Sequence, residues 1–598
     1  MMANMNTISE KLKALRAELQ NQDVAGFIVP RADEYQGEFV APYAERLAWI
    51  TGFTGSAGIA VILDDKALVQ SDGRYTLQLK QEVDQSCYEI SDMIKEPLEN
   101  WLNENAKGKV IGYSPWLHTP AQIERLSKAG VVLKPLESNP LDTIWSAQPI
   151  RGSSQIEIFP EAISGLSVVA KKAYIEDCLQ EAGAQSCILS LPDSICWLLN
   201  MRGADIPCTP AILSYAVIYA DGRPIDWVIE PSRLPENIHQ AMAEIFTCKA
   251  PEYLPDLMTH LPEPVMIDES HAPIWFKQSL ELLSKEVIAK ADPCIAPKAC
   301  KTEREAEAMK KAHEIDALAL VKFMHWLDAH AQNKTECEIA DKLLEFRKQS
   351  PAFRDESFPA ICGFASNGAI IHYRAQEKSC AKIQGQGLLL LDSGAQYLDA
   401  ENAIAGTTDI TRTMAIGGAP TAEEKLRFTQ VLKGHIAVAR ARFPYGSVGA
   451  QIDALARAPL WADGVDFAHG TGHGVGCYLA VHEEAASISP RGKTAFEAGM
   501  IISNEPGYYK AGAFGIRTEN LILTKDSEQL CDGTGAAMLE FETISFAPFD
   551  RKLIDIALLN DDERSWLNDY HKKCYEIVAP QLDDTDCVAW LEQAMQPL

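Results

Sequence analysis

Apolar residues recur along this chain with two alternating periods. Between Thr7 and Gln20 they fall at Leu12, Leu15 and Leu19, a spacing that predicts a helix with one buried face. Gly26 to Val29 is a short continuous apolar run ended by Pro30, which predicts a buried strand. Gly58 to Leu63 and Ala67 to Val69 predict two hairpin strands, and Asp72-Gly73-Arg74 a turn. Helices and strands keep alternating to about residue 148, the pattern of an α/β domain over residues 1–148.

The same order then recurs. A helix over 162–182 leads to an apolar strand, Ser186 to Ser190, then Pro192-Asp193, then the Trp-containing segment Ile195 to Asn200. Strands Ala216 to Tyr219 and Asp226 to Ile229 follow, and Trp49 and Trp197 hold matching places. We read an internal duplication with a repeat of about 150 residues, which makes 149–302 a second α/β domain. Lys301-Thr302-Glu303-Arg304 opens a long amphipathic helix reaching about residue 331, with Met309, Ala312, Ile315, Leu318, Phe323 and Leu327 near one stripe. The remainder, 303–598, reads as one large domain that holds the chemically dense segments.

Composition narrows the possible partners. A formal charge of −28 over 598 residues argues against nucleic acid and acidic membranes, both of which demand clustered Lys and Arg. The fifteen cysteines are scattered without paired spacing, Cys294 and Cys300 being the nearest thing to a pair, as in a reduced cytoplasmic protein. Met1 to Lys13 lacks the apolar core of a signal peptide, and no run approaches the ~18 apolar residues of a membrane span. Asn333-Lys334-Thr335 fits a glycosylation sequon, which in such a compartment is chance.

Within the third domain, His469-Gly-Thr-Gly-His473-Gly-Val-Gly476 is followed by Val481-His482-Glu483. Glycine lets the backbone turn and pass close to a ligand, and histidine supplies a neutral ligand or a proton carrier. Four apparent strands each bring a carboxylate toward a buried face. Leu388 to Leu391 runs directly into Asp392, and a carboxylate there is costly to bury without a partner. Thr407 to Thr413 alternates so that Asp409, Thr411 and Thr413 share a face. Met500 to Glu505 runs into a Pro506-Gly507 turn, and Phe514 to Leu523 reads as one strand with Arg517 and Glu519 on one face. Four carboxylates packed together repel, and two divalent cations beside a neutral His473 remove the conflict.

These segments carry a family resemblance. Asp392-Ser-Gly-Ala-Gln-Tyr397, Gly406 to Thr413, His469 to Gly474, Asn504-Glu-Pro-Gly-Tyr-Tyr509 and Gly515-Ile-Arg-Thr-Glu-Asn520 resemble the signature of three-domain, cytosolic-type Xaa-Pro aminopeptidases, of the pita-bread group that includes prolidase. Gly52 to Gly58 and Asp193 to Gly203 extend the likeness through the first two domains. The resemblance implies two creatinase-like N-terminal α/β domains and a C-terminal pita-bread catalytic domain. It implies two metal ions, usually Mn²⁺, held by Asp392, Asp409, His473, Glu505 and Glu519, with Asp409 and Glu519 bridging. His372, His469, His482 and Arg517 fall on the substrate side, with Glu505, His482 and His372 moving protons. The implied substrate is a peptide with proline second, and the implied assembly a homodimer.

This chain departs from the usual motif in places. Ala400 to Ala405 are six residues that the motif lacks between its first two ligands, expected to lengthen a hairpin at its tip; a one-residue slip of register would turn Asp409 away. Glu484-Ala485 stands where Gly-Pro is usual, and Ala375 where Pro is common. A serine hydrolase is disfavoured because Thr54 stands where the glycine of a nucleophile elbow before Ser56 belongs. His469 and His473 flank Gly-Thr-Gly rather than the Glu-x-x of a zincin helix. A prolidase-type dipeptidase and a catalytically silent pita-bread binding protein are the alternatives. Two extra domains speak against the first and a full ligand set against the second.

Overall fold

The computed structural model describes residues 7–528 and 534–598. The part of the N-terminal reading that falls on Met1 to Asn6 lies outside the described residues. The chain divides into two compact units, one of residues 1–159 with 166–295, the other of 160–165 with 296–598.

In the first unit, α1 (Ile8–Asn21) starts at a capping box. The Thr7 hydroxyl accepts the Glu10 N–H and the Glu10 carboxylate accepts the Thr7 N–H. Leu12, Leu15 and Leu19 are buried, as their spacing predicts. Two six-stranded sheets follow. The first contains β1 (Gly26–Pro30), β2 (Ile59–Leu63), β3 (Ala67–Ser71), β4 (Glu89–Asp92), β5 (Val110–Tyr113) and β6 (Val132–Pro135) in the order β4-β3-β2-β1-β5-β6, with α2 (Arg46–Thr51) between β1 and β2. The second contains β7 (Ser186–Leu189), β8 (Tyr215–Tyr219), β9 (Ile225–Val228), β10 (Phe246–Lys249), β11 (Val265–Ile267) and β12 (Val287–Ala289) in the order β10-β9-β8-β7-β11-β12, with α3 (Pro192–Leu199) between β7 and β8.

Strand for strand the two orders are the same, and so are the orientations. Each first strand is antiparallel to the second and parallel to the fifth, and the outer pairs are parallel. Trp49 in α2 and Trp197 in α3 occupy equivalent positions, so the duplication is visible in topology. The helix expected over 162–182 is broken. Glu161–Ser164 ends at Gly165, which takes φ 71°, and Val168–Ala182 restarts where the Ser167 hydroxyl accepts the Ala170 N–H. A left-handed glycine and a serine cap lie two residues apart, a stop followed by a start.

The second unit is built around α4 (Glu303–His330), opened by a capping box between Thr302 and Glu305. Its buried face is broader than the predicted stripe. Ala317 and Val321 pack into one apolar cluster, while Leu320, Phe323, Met324 and Leu327 pack into another. Ile315 and Leu318 are only half-buried. The sequon becomes a turn: Asn333 is left-handed at φ 68° and Thr335 caps α5 (Glu336–Arg347). Among the described residues no helix is long and apolar enough to cross a membrane.

Four strands then set up the first half of the site: β13 (Gly387–Ser393), β14 (Ala395–Asp399), β15 (Ile404–Thr407) and β16 (Ile410–Ile416). β13 pairs antiparallel with β16 so that Asp392 lies opposite Thr411. β14 and β15 form the hairpin that carries the extra residues, with Asp399 opposite Ile404. The second half comes from β17 (Gly472–Gly474), β18 (Ile501–Asn504), β19 (Phe514–Arg517) and β20 (Asn520–Asp526). β17, β18 and β20 belong to one six-stranded sheet, while β19 pairs with Gly507–Lys510 in a two-stranded sheet.

Two runs expected as single strands are therefore interrupted. The chain leaves one sheet at Thr407 and enters another at Ile410, and it does so again between Arg517 and Asn520. Asp409 and Glu519 sit in these two gaps. Backbone donors in the gaps still find partners: Thr408 N–H donates to the Ala395 carbonyl, Thr518 N–H to the Pro506 carbonyl and Glu519 N–H to the Thr411 carbonyl.

Gly394 turns the corner from β13 to β14. A Cβ there would lie 1.9 Å from the Thr408 carbonyl oxygen and 2.1 Å from the Ser357 hydroxyl. Gly394→Ala is expected to cost about 1–3 kcal/mol through overpacking and to lower the first unfolding midpoint in urea. An unchanged midpoint would show that the corner has room the structure does not.

Candidate metal centre

β13 delivers Asp392 at the end of four buried leucines, and the carboxylate is itself buried. Its Oδ2 accepts from Arg517 Nη2 at 2.5 Å, while Oδ1 has no hydrogen-bond partner among the described residues. Asp409 and Glu519 enter from the two sheet crossings and are also buried. One ligand atom from each of Asp409, His473 and Glu519 lies within 4.8 Å of the others. His473 Nε2 stands 3.4 Å from Asp409 Oδ2 and 3.6 Å from Glu505 Oε1. The Asp409 carboxylate thus points into the group, and the lengthened hairpin has not turned it away.

Local chemistry fixes each side chain. His473 Nδ1 lies 2.9 Å from the Gly474 carbonyl and donates to it, which leaves Nε2 to face the carboxylates. The His473 N–H donates to Ser503 Oγ at 3.0 Å, and Ser503 Oγ donates to Glu505 Oε1 at 3.3 Å. The Glu505 N–H donates to the Thr471 carbonyl at 2.8 Å, so β18 hangs from the glycine-rich segment. Glycine is required there: a Cβ on Gly472 would lie 1.8 Å from the Ser503 carbonyl oxygen. Thr411 Oγ1 donates to Glu519 Oε2 at 2.7 Å.

The electrostatics show what the cluster lacks. Burial pushes Glu519 well above the usual carboxylate range, and the charges of Asp409, Asp392 and Glu505 push it further. Burial also raises Asp392, with Arg517 opposing and Asp409 adding to the shift. Glu505 is raised to about 7 by burial, against the pull of His473 and Arg517. Burial alone would lower His473, but its hydrogen bond to Asp409 and the charges of Glu505 and Asp409 outweigh it and hold the imidazole up at about 9. Protons are standing in for a positive charge that the donor set is short of. A buried Asp392 Oδ1 without a partner, three further carboxylates and one correctly tautomerised imidazole fit hard divalent cations.

The residues expected on the substrate side are placed unequally. The His482 ring lies against His473, centroids 4.2 Å apart at 71°, and is half-buried. His372 is half-buried in the segment that follows the 3-10 turn Ala365–Ala369. His469 already has both ring nitrogens engaged: Nδ1 donates to the Gly470 carbonyl at 2.7 Å and Nε2 accepts from the Tyr509 hydroxyl at 2.8 Å. The Tyr509 hydroxyl in turn accepts from Arg517 Nη1 at 2.7 Å. Arg517, expected to meet substrate, is instead 1% exposed, and its guanidinium is occupied by Asp392, Tyr509 and Thr411. A buried guanidinium beside a buried carboxylate is a partner for that carboxylate first.

Several working residues escaped the sequence reading. Tyr509 and Thr411 are hydroxyl relays whose role depends on strands brought together across sheets. Lys298 and Lys301, whose side chains are each 1% exposed, converge on Glu483, which directly follows His482. Lys298 also bonds Glu484 at 2.9 Å, which gives that departure from the usual motif a local partner. Nothing in a lysine before a helix signals such a destination.

Known proteins share this architecture. Residues 307–526 match the family model of metallopeptidase family M24, and 537–598 match the C-terminal region of that peptidase. Residues 11–142 and 147–305 each match a creatinase/prolidase N-terminal domain. Aminopeptidase P2 of Arabidopsis thaliana is 36% identical over 640 aligned positions, spanning 99% of this chain and 89% of the relative. A probable Xaa-Pro aminopeptidase P of Pyrenophora teres f. teres is 34% identical, spanning 100% and 93%. The solved X-prolyl aminopeptidase of Caenorhabditis elegans, a cytosolic enzyme with a di-nuclear active site, superimposes with a TM-score of 0.92 at 29% identity, covering 99% of this chain and 100% of that one. The Xaa-Pro dipeptidase of Bacillus anthracis shares the fold over 64% of this chain, with a TM-score of 0.52 at 22% identity. With both N-terminal domains, the catalytic domain and its C-terminal region all matched, the chain belongs to metallopeptidase family M24, among its Xaa-Pro aminopeptidases P.

Proposed function

We propose that this chain is a two-metal exopeptidase that releases the N-terminal residue from peptides with proline in second position. The observation that carries the reading is the convergence of Asp409, His473 and Glu519 within 4.8 Å. Asp392 and Glu505 join them as the remaining ligands. Bound there, two divalent cations, Mn²⁺ by the oxygen-rich donor set, offset the carboxylate charges and make water nucleophilic near neutral pH.

This chain's own residues do the rest. Glu505 takes a proton at its carboxylate and passes it on. His482, against His473, and His372 face the substrate, stabilise charge developing on the attacked carbonyl oxygen and deliver a proton to the departing proline nitrogen. That nitrogen is a tertiary amide without an N–H, so recognition must come from a pocket for the ring. The substrate's free amine fits beside the metal carboxylates, which explains release of a single residue. Arg517 and His469 hold the site through Asp392 and Tyr509. The reading includes boundaries near residues 148 and 302, a cytoplasmic setting in keeping with the unpaired cysteine spacing, and a homodimer carried over from the resemblance.

The reading is tested by removing metal, restoring Mn²⁺ and following release of the first residue from short Xaa-Pro-Xaa peptides beside Xaa-Pro dipeptides. Metal-dependent cleavage of the longer peptides is expected. Cleavage of dipeptides alone would make the chain a prolidase, and no metal-dependent cleavage would leave a binding protein. An Asp409→Asn variant is expected to lose activity and metal together.

Metal affinity is expected to climb with pH. Without the ion, His473 keeps its proton up to about 9 and Glu505 up to about 7, and a cation must displace both. At least two protons therefore leave on binding below about pH 7 and at least one between about 7 and 9, and Glu519, itself held well above the usual carboxylate range, adds to the release. Titration calorimetry in buffers of different ionisation enthalpy reads these numbers, and affinity independent of pH would contradict the ligand set. His482→Asn is expected to lower kcat/KM by roughly 10²- to 10⁴-fold with metal content unchanged; a loss of metal instead would move His482 among the ligands.

A further inference from the structure

Glu336 is the first residue of α5 and is completely buried. Among the described residues it makes no ion pair. A carboxylate taken out of water with no cation beside it costs several kcal/mol unless hydrogen bonds replace the lost hydration. Here they do, and all of them come from one segment. Oε1 accepts from the Phe364 N–H at 2.7 Å and from Asn367 Nδ2 at 3.0 Å. Oε2 accepts from the Ala381 N–H at 2.6 Å, the Tyr373 hydroxyl at 2.8 Å and Asn367 Nδ2 at 3.1 Å. The backbone N–H of Glu336 adds a bond back to the Ala381 carbonyl at 3.0 Å.

The donors span residues 364–381, and His372 lies between them. Tyr373 directly follows it, and Asn367 lies in the middle of the 3-10 turn that leads to it. The opposite side of this segment is closed by β19. A Cβ on Gly515 would lie 1.7 Å from the Gly368 carbonyl oxygen, and Arg517 Nη1 reaches the Ile371 carbonyl at 3.4 Å. His372 ends a turn closed by the Tyr373 N–H on the Ile370 carbonyl at 3.0 Å, residues 373–376 after it have no regular hydrogen-bonded structure, and Ala375 supplies no proline stiffness. The stretch around His372 is thus clamped between β19 and one buried anion.

We infer that Glu336 is a positioning residue for the reaction, fixing His372 against the substrate by gathering both ends of its segment and its two flanking polar side chains onto one carboxylate. The inference rests on the substrate-side role given to His372 above. Charge matters as well as shape. Ionised, Glu336 is an acceptor at both oxygens, and every partner is a donor. Its amide isostere would turn an NH₂ toward N–H and O–H groups and lose half the set.

The test uses the metal-loaded full chain with E336Q, H372N and the double variant. Amide hydrogen exchange over 364–381 serves as the readout independent of turnover. E336Q is expected to speed exchange at Phe364 and Ala381 and to lower kcat about ten- to hundredfold, the range for a misplaced reacting group, with metal content unchanged. E336D, which keeps the charge, is expected to recover part of the loss. The double variant is expected to be no slower than H372N alone, because Glu336 acts through His372. Full activity in E336Q, or losses that multiply in the double variant, would overturn the inference. Full activity in H372N would instead overturn the role given to His372, and the inference with it, even where E336Q loosens the segment. Should E336Q fail to fold, Tyr373→Phe removes one donor and leaves the anion. A smaller fall in kcat with faster exchange supports the inference, and no change in either overturns it.

Discussion

Four carboxylates held together in a protein interior repel one another, and the second unit is arranged around that conflict. Glu519, Asp392 and Glu505 are all driven above their ordinary range, and His473 is driven up with a proton that the acids retain for it. The conflict is tolerable because the fold assigns each carboxylate a different neighbour. Asp392 leans on Arg517, Glu519 on the Thr411 hydroxyl, Glu505 on Ser503 and Asp409 on His473. What remains uncompensated is directed at the same small volume. A site that is electrostatically incomplete as protein is complete with divalent cations, and the donors are preorganised for them.

Preorganisation comes from side chains that never meet a metal. A hydrogen-bonded line runs from His469 through Tyr509 and Arg517 to Asp392, and its donors and acceptors are consistent throughout. Arg517 also grips Thr411, which grips Glu519, so two ligands from separate sheets share one guanidinium. His482 follows a similar logic. The residue after it is a buried glutamate fastened by two buried lysines that lie just ahead of α4. Buried ion pairs of this kind contribute little net stability, but removing one partner is costly, which suits them to fixing geometry.

Much of this was legible in the residues. The carboxylate after four leucines, the His/Gly segment and three further acid-bearing runs were enough to single out four carboxylates and His473 and to choose divalent cations as their counter-charge, and the structure sets Asp409, His473 and Glu519 within 4.8 Å. Periodicity also exposed the duplicated N-terminal domain, because burial on one face leaves the same signature twice. What could not be read were the places where the chain changes sheets. Thr407 to Thr413 and Phe514 to Leu523 are rich in β-branched and apolar residues, so alternation predicts unbroken strands, whereas the gaps at Asp409 and Glu519 arise from packing between sheets. The burial of Arg517 was unreadable for a related reason. Sequence shows a charge near the site, but only tertiary structure shows that Asp392 has already claimed it.

The hairpin insert shows why the ligand set survives a change of length. Its base is tied to the segment leading to His482: Gln396 Nε2 donates to the Leu479 carbonyl at 3.0 Å, and the Leu479 N–H donates to Thr407 Oγ1 at 3.2 Å. Tyr397 is pinned from the other side by its hydroxyl bond to Asp316 on α4 at 2.8 Å. The added residues fall beyond these ties, in a turn closed by Asp399, which accepts from the N–H groups of Glu401 and Asn402. Pairing from Gln396–Thr407 out to Asp399–Ile404 then runs in unbroken register. Length added at the tip therefore has no lever on Asp409, two residues past Thr407, because the base is anchored to the same loop that presents His482. The geometry of the site is defined from the hairpin's anchored base outward, and sequence can be inserted wherever that definition has already been made.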